Sequence, residues 1–254
     1  MKNFFLLILL LIASCGDNSQ PVEKPNRFKE SLHKASEILT LERLTQDGRC
    51  IHPNFAPGDT IIYFRRLLAP NEEAASGVEY KDLIKPFGMN INSGELLTLS
   101  TEFTYPLQNY AERIDLPAPS EEVVTQGIYS PDSTYIIFET TEKNVQQNRK
   151  IYIEKDDQIS QLTFGDISCY LEKVSNSGHY ISALFNWDPS WIIIIDLQSG
   201  KNYIINRDND MIDYMSCFSS DDKMMVFIRS DGTIDMDGTV FGDIWLARFN
   251  GNTN

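Results

Sequence analysis

The strongest constraint on this chain is an internal repeat, in which a short polar turn leads each time into an apolar strand. Phe55-Ala56-Pro57-Gly58-Asp59 precedes Ile61-Ile62-Tyr63-Phe64, and Tyr129-Ser130-Pro131-Asp132-Ser133 precedes Tyr135-Ile136-Ile137-Phe138. Val174-Ser175-Asn176-Ser177-Gly178 precedes Tyr180-Ile181-Ser182-Ala183, and Phe218-Ser219-Ser220-Asp221-Asp222 precedes Met224-Met225-Val226-Phe227. In all four, an apolar anchor stands six positions before the strand. Ser, Pro, Asp, Asn and Gly all favour tight turns, so each unit reads as a hairpin.

Each unit then continues with a further strand, such as Ile151-Tyr152-Ile153 or Ile244-Trp245-Leu246. In the first three units a turn and a last strand follow. Anchors Tyr129, Val174 and Phe218 are 45 and 44 residues apart, the length of a four-stranded antiparallel propeller blade. The first interval is longer, 74 residues, and segments 70–81 and 101–120 are read as surface insertions that absorb the excess.

The turn with its aromatic anchor, best seen in Tyr129-Ser130-Pro131-Asp132, resembles the PD40 (WD40-like) repeat of TolB-type propellers. The closing pairs Leu162-Thr163 and Leu44-Thr45 match the same repeat. The resemblance covers residues 41–249 and implies an all-β fold, a propeller with four recognisable blades and partner binding as a class of activity. The fourth unit shows only three strands, which would leave an open sheet edge. Leu41-Glu42-Arg43-Leu44-Thr45 ends in the Leu-Thr of a last strand and is expected to lie beside residues 244–247, closing the ring. Ahead of it, Phe28, Leu32, Ala35, Ile38 and Leu39 recur at helical spacing and predict a short N-terminal helix.

Residues 4–13 form an unbroken apolar run behind Lys2, too short to cross a bilayer but suited to an export signal. The run ends in Ile12-Ala13-Ser14-Cys15, which resembles a lipobox. Residues 1–14 are therefore read as a lipoprotein signal, 15–40 as a lipid-anchored tether with its short helix, and 41–254 as the propeller. Cys15 would carry the lipid and hold the chain in the cell envelope. Gly16 follows it in place of the Asp that marks inner-membrane retention in some bacteria, so the outer membrane, facing the periplasm, is expected.

The formal net charge is −14, and removal of the signal takes away one positive charge, Lys2, and no carboxylate. Such a surface repels phosphate backbones, and nucleic acid is excluded as a partner. No nucleophile elbow, zinc-protease motif or phosphate loop occurs, so a non-catalytic binding or scaffolding module is expected, without cofactor or metal, and with another envelope protein as partner. The alternatives are a small ligand or glycan at the channel mouth, or an unrecognised hydrolase or lyase. His52 and Gln126 share an inner-strand register and are the candidate channel-mouth residues; Leu171 and Met215 occupy it in the other units. Trp187, beside the turn Asp188-Pro189-Ser190, is the candidate partner contact. Asp231, Asp235, Asp237 and Asp243 crowd one loop, read as a solvated acidic turn rather than a calcium site, because the first and last ligands of a calcium loop are missing. Cys50, Cys169 and Cys217 fit either burial as small apolar residues or one disulfide, with Cys50 and Cys169 in the same register.

If Cys15 is the lipidated residue, fatty-acid labelling should mark the native chain and leave Cys15→Ser unlabelled with its signal retained. Equal labelling of the two would end the assignment.

Overall fold

The computed structural model describes residues 32–68, 83–100, 102–103, 114–116, 123–142, 149–164, 168–185, 190–205, 211–232 and 240–250. The chain enters through two short strands, β1 (His33–Lys34) and β2 (Leu39–Arg43), separated by a single 3-10 turn, Ala35–Glu37. Blade 1 follows as β3 (Cys50–Phe55), β4 (Ile61–Leu67), β5 (Ile84–Asn90) and β6 (Leu96–Thr98). Blade 2 holds β7 (Ile114–Leu116), β8 (Val123–Tyr129), β9 (Tyr135–Glu142), β10 (Lys150–Lys155) and β11 (Gln158–Gln161). Blade 3 is β12 (Cys169–Val174), β13 (Tyr180–Phe185), β14 (Trp191–Asp196) and β15 (Lys201–Ile204). Blade 4 is β16 (Ile212–Phe218), β17 (Met224–Ser230) and β18 (Asp243–Phe249), completed by β2.

Strand β2 therefore does what its Leu-Thr ending foretells. It pairs antiparallel with β18, with Arg43 opposite Trp245 and Leu39 opposite Phe249. The Leu-Thr pair has a visible purpose. Leu44 N donates to Ile244 O at 2.8 Å and Ile244 N donates to Thr45 Oγ1 at 2.9 Å. In blade 2, Leu162 N donates to Ile151 O at 2.8 Å and Ile151 N to Thr163 Oγ1 at 2.9 Å. The threonine hydroxyl thus satisfies the amide of the second residue of the third strand after backbone pairing has ended.

Two parts of the sequence reading change. Where a helix was expected before the ring, the described part of that stretch is the 3-10 turn, and β1 adds in parallel to β15 at the rim of blade 3. The helical spacing instead serves packing. Leu32, Ala35 and Leu39 are all buried, Leu32 in the core between blades 2 and 3 and the other two in the core between blades 3 and 4. Nor is segment 101–120 wholly a surface insertion, because β7 pairs with the inner edge of β8 and makes a fifth strand there.

The blades are joined through both of their faces. β14 is Trp-Ile-Ile-Ile-Ile-Asp, and its four isoleucines are all essentially inaccessible. Side chains alternate along a strand, so Ile193 and Ile195 enter the core shared with blade 2 while Ile192 and Ile194 enter the core shared with blade 4. β17 repeats the pattern, with Met225 and Phe227 toward blade 3, and Val226 and Ile228 toward blade 1. The spatial order is blade 2, blade 3, blade 4, blade 1, with an apolar core at each of the three steps.

At the turns, each second-position serine accepts the amide of the following strand's first residue. Tyr135 N to Ser130, Tyr180 N to Ser175 and Met224 N to Ser219 measure 3.1, 3.0 and 2.9 Å. The fifth turn residue reaches the neighbouring blade. Asp222 accepts from Asn176 N at 2.8 Å and Ser177 N at 2.7 Å, and Asp59 accepts from Ser220 N at 2.9 Å. Gly178, with φ +74° and no side chain to offer, uses its carbonyl to accept from the Tyr135 hydroxyl.

The strap gives a test of closure. Leu39→Ala should cost roughly 2–5 kcal/mol as a core deletion, whereas Leu41→Ala, 38% exposed on the same strand, should cost well under 1. Matching chemical-denaturation midpoints for the two variants would show that β2 does not close the ring.

Candidate functional site

Among the described residues, apolar cores fill the steps between blades 2 and 3, 3 and 4, and 4 and 1, and the remaining faces of blades 1 and 2 are built differently. Relative to its anchor, each blade offers equivalent positions on the second strand. Blade 4 turns Val226 and Ile228 toward its neighbour, paired across the sheet with Leu246 and Ile244, and all four are buried. Blade 1 has Tyr63 and Arg65 at those positions, paired with Gly88 and Pro86. Tyr63 is half-buried and Arg65 exposed. Aliphatic packing groups have been replaced by a phenol, a guanidinium and two residues with little side chain to contribute.

The corresponding face of blade 2, which none of these cores covers, bears Ile136 and Phe138, both buried, with Tyr152 stacked on Phe138 at 5.4 Å. The anchor residue again marks the difference. Phe55 and Phe218 are 0% and 4% exposed against the blades that precede them in the ring, while Tyr129 is 48% exposed. Among the described residues, none of the three apolar cores joins blades 1 and 2. The turn chemistry agrees. Pro57 has no amide hydrogen to donate, and Ser133 stands where Asp222 and Asp59 carry their carboxylates.

The expected channel-mouth residues lie on β3 and β8. His52 sits in a β-bulge of β3 between Ile51 and Asn54, at φ 54°, with its side chain exposed. Loss of hydration, and then the charge of Arg65, lower its pKa below the usual imidazole value, so it is neutral at physiological pH. Gln126 is half-buried on β8, opposite Asp115 of β7. It does not lie on the innermost strand of its blade, because β7 covers that edge. The other residues of the register diverge: Leu171 is buried between blades 2 and 3, and Met215 occupies a bulge like that of His52, at φ 56°. Trp187, Asp235 and Asp237 lie outside the described residues. Asp243 opens β18 and holds the N-terminal segment, accepting from Gly48 N at 2.9 Å and pairing with Arg43.

The three cysteines are free and buried, Cys50 and Cys217 in the core between blades 4 and 1, Cys169 in that between 2 and 3. The register shared by Cys50 and Cys169 thus places them in separate cores instead of bringing them together. Burial pushes the thiols of Cys50 and Cys169 up to about 12.

Sequence reasoning missed the acids that link the blades, or brace one, from within the strands. Glu139 accepts from Leu171 N at 2.6 Å and from Arg149 at 2.9 Å, joining blades 2 and 3. Glu172 accepts from Met215 N at 2.8 Å, Ser216 N at 3.2 Å and the Ser216 hydroxyl, joining blades 3 and 4 at the β16 bulge. Asp213 holds Arg229 by two bonds of 2.7 and 2.9 Å, with the guanidinium over Trp245. A single acid within an otherwise apolar strand was the available signal.

No family model and no curated protein matches this chain. Solved structures with a similar course of strands include TolB from Acinetobacter baumannii, 17% identical with a TM-score of 0.31, matched over 83% of this chain and 46% of that one. The tricorn protease is 11% identical with a TM-score of 0.35, over 77% and 16%. A periplasmic gluconolactonase from Pseudomonas aeruginosa is 11% identical with a TM-score of 0.31, over 81% and 88%. The chain spans less than half the length of the first two.

Burial raises the carboxyl of Glu172, against the opposing effects of Ser216, Met215 N and Lys173. Burial raises Asp213 as well, against Arg229. A carboxyl whose folded pKa exceeds its unfolded value favours the folded state increasingly as pH falls through the folded pKa. Thermal stability should therefore rise from neutral toward mildly acidic pH, and Glu172→Gln should flatten that rise. Parallel pH profiles of melting temperature for the two proteins would refute the assignment.

Proposed function

We propose that this chain is a non-catalytic binding module of the bacterial cell envelope, anchored to the outer membrane through lipid on Cys15, that holds another envelope protein at the sector between blades 1 and 2. The observation that carries the reading is the surface of that sector. Tyr63 and Arg65 replace core aliphatics, and the Tyr129 anchor is half-exposed although its counterparts Phe55 and Phe218 are buried. Tyr and Arg are among the residues in which binding energy concentrates. The buried carboxylates support the non-catalytic part, since Glu139, Glu172, Asp213 and Asp243 are each engaged by amides or guanidinium groups that hold the blades or the strap.

A second reading places a small ligand or glycan at the same mouth. His52 favours it, being an exposed, neutral imidazole next to Arg65.

Photo-crosslinkers placed at Tyr63, Tyr129 and Trp187 of the full chain in native membranes separate these readings. A single protein adduct from Tyr63 and Tyr129, weakened about tenfold or more by Tyr129→Ala and untouched by Leu41→Ala, is expected. Adducts from Trp187 alone would move the interface to the loop between β13 and β14. Turnover of a glycan or peptide, abolished by one carboxylate variant, would overturn the non-catalytic reading.

A further inference from the structure

We infer that the β-bulge of blade 1 at His52 receives a carboxylate from a ligand, in the place where the bulges of blades 3 and 4 receive one from the preceding blade. This rests on the reading of His52 as a ligand contact and specifies the chemistry of the ligand.

The inner strands of blades 3, 4 and 1 each break register just before the anchor, between Leu171 and Lys173, between Tyr214 and Cys217, and between Ile51 and Asn54. A break of this kind leaves amides without a partner on the adjoining strand, and they need another acceptor. In blade 3 that acceptor is Glu139 of blade 2, 2.6 Å from Leu171 N. In blade 4 it is Glu172 of blade 3, at 2.8 Å from Met215 N and 3.2 Å from Ser216 N. His52 is the counterpart of Met215, three residues before the anchor, and shares its left-handed backbone, with φ 54° against 56°.

The step from blade 4 to blade 1 is built like the step from blade 3 to blade 4. Asp222 reaches back to the amides of Asn176 and Ser177, and Asp59 reaches back in the same way to Ser220 N. At the inner strands the two steps part. Ser216 of blade 4 holds the position of Glu172, and its hydroxyl is turned to Glu172 itself and to Ser182. Ile228 holds the position of Glu139 and is buried in the core between blades 4 and 1. Neither can supply an acid to His52. Glutamate carries a methylene carboxylate where serine carries only its hydroxyl, so the group that fits this step is an acetate-like acid.

The receiving groups are of the right kind. Amide bonds to an ionised acceptor are roughly twice as strong as neutral ones, an advantage that a sugar hydroxyl does not share. Pro53 follows and brings no N–H, so His52 offers a single backbone donor, with an exposed imidazole beside it. The charge that falls on that ring is the guanidinium of Arg65, across the sheet from Ile51. Among the described residues His33 and His179 are paired with Glu37 and Asp196, while His52 enters no ion pair.

The test follows the amide resonances of the full chain, isotope-labelled and purified in detergent, during titration with acetate and with its neutral analogue acetamide. Acetate should move the residue 52 amide saturably, with a dissociation constant on the order of millimolar and at least about tenfold below that of acetamide. His52→Gly keeps an amide in a backbone that glycine adopts freely, so its residue 52 should still respond to acetate, several-fold more weakly. His52→Asp, which tolerates the same backbone, sets a like charge there and should abolish the response with the remaining spectrum unchanged. A short peptide with a free C-terminus, set against its amidated copy, separates the two sources of the acid. Tighter binding of the free peptide than of acetate assigns the site to a partner's C-terminus, and the reverse assigns it to a free small acid. An unmoved residue 52, an equal response to acetamide, or a His52→Asp chain that still saturates overturns the inference. A neutral glycan that moves residue 52 when acetate does not would sink the carboxylate alone, and no response to either would sink the ligand reading of His52 as well.

Discussion

A strand such as β14, with four consecutive isoleucines and all four inaccessible, has no side to show to water. The sheet that contains it must be covered on both faces, and in a chain of repeated hairpins the only available cover is the next sheet. That requirement sets the rest of the architecture. Blade 3 is covered by blade 2 on one face and blade 4 on the other, and blade 4 is covered in turn by blade 1. Polar links then fix the angle at each step: Asp222 and Asp59 at the turns, Glu139 and Glu172 at the bulges of the inner strands. They are acceptors for amides that the bulges and turns leave without strand partners, so they relieve an unmet need instead of adding optional contacts.

The N-terminal strap meets the second requirement, at the sheet edges. β18 would present a row of unpaired backbone groups at the rim, and β2 satisfies it. The same dozen residues place Leu32, Leu39 and Leu44 against all three cores in succession. One segment therefore binds the blades together from outside, and Asp243 secures it through Arg43, Thr45 and Gly48.

The remaining face of blade 1 shows where these two requirements stop. Blade 1 needs cover on the face toward blade 4 and has it, with Phe55, Ile62 and Phe64 all fully buried. Its other face carries Tyr63 and Arg65, for which a dry aliphatic neighbour would be the wrong environment, since a guanidinium without a counter-ion is costly to bury. A break in local consistency of this kind is where a functional site is to be sought.

Much of this was legible in one dimension. Anchor spacing, turn composition and the Leu-Thr endings each reflect a local hydrogen-bonding need, so the four blades, their hairpins and the closing role of Leu41 to Thr45 could be read directly. Features that depend on which blade faces which could not. The helical spacing of Leu32, Ala35 and Leu39 comes from a strap crossing successive cores, and periodicity alone cannot tell such a strap from a helix. His52 and Gln126 share a register, yet β7 arrives from a distant link to cover one of them. Arg65 reads in sequence as an ordinary charge at the end of an apolar strand. That it has no ion-pair partner among the described residues becomes visible only when the repeat is folded, because the pairing of a charge is a property of its neighbours in space.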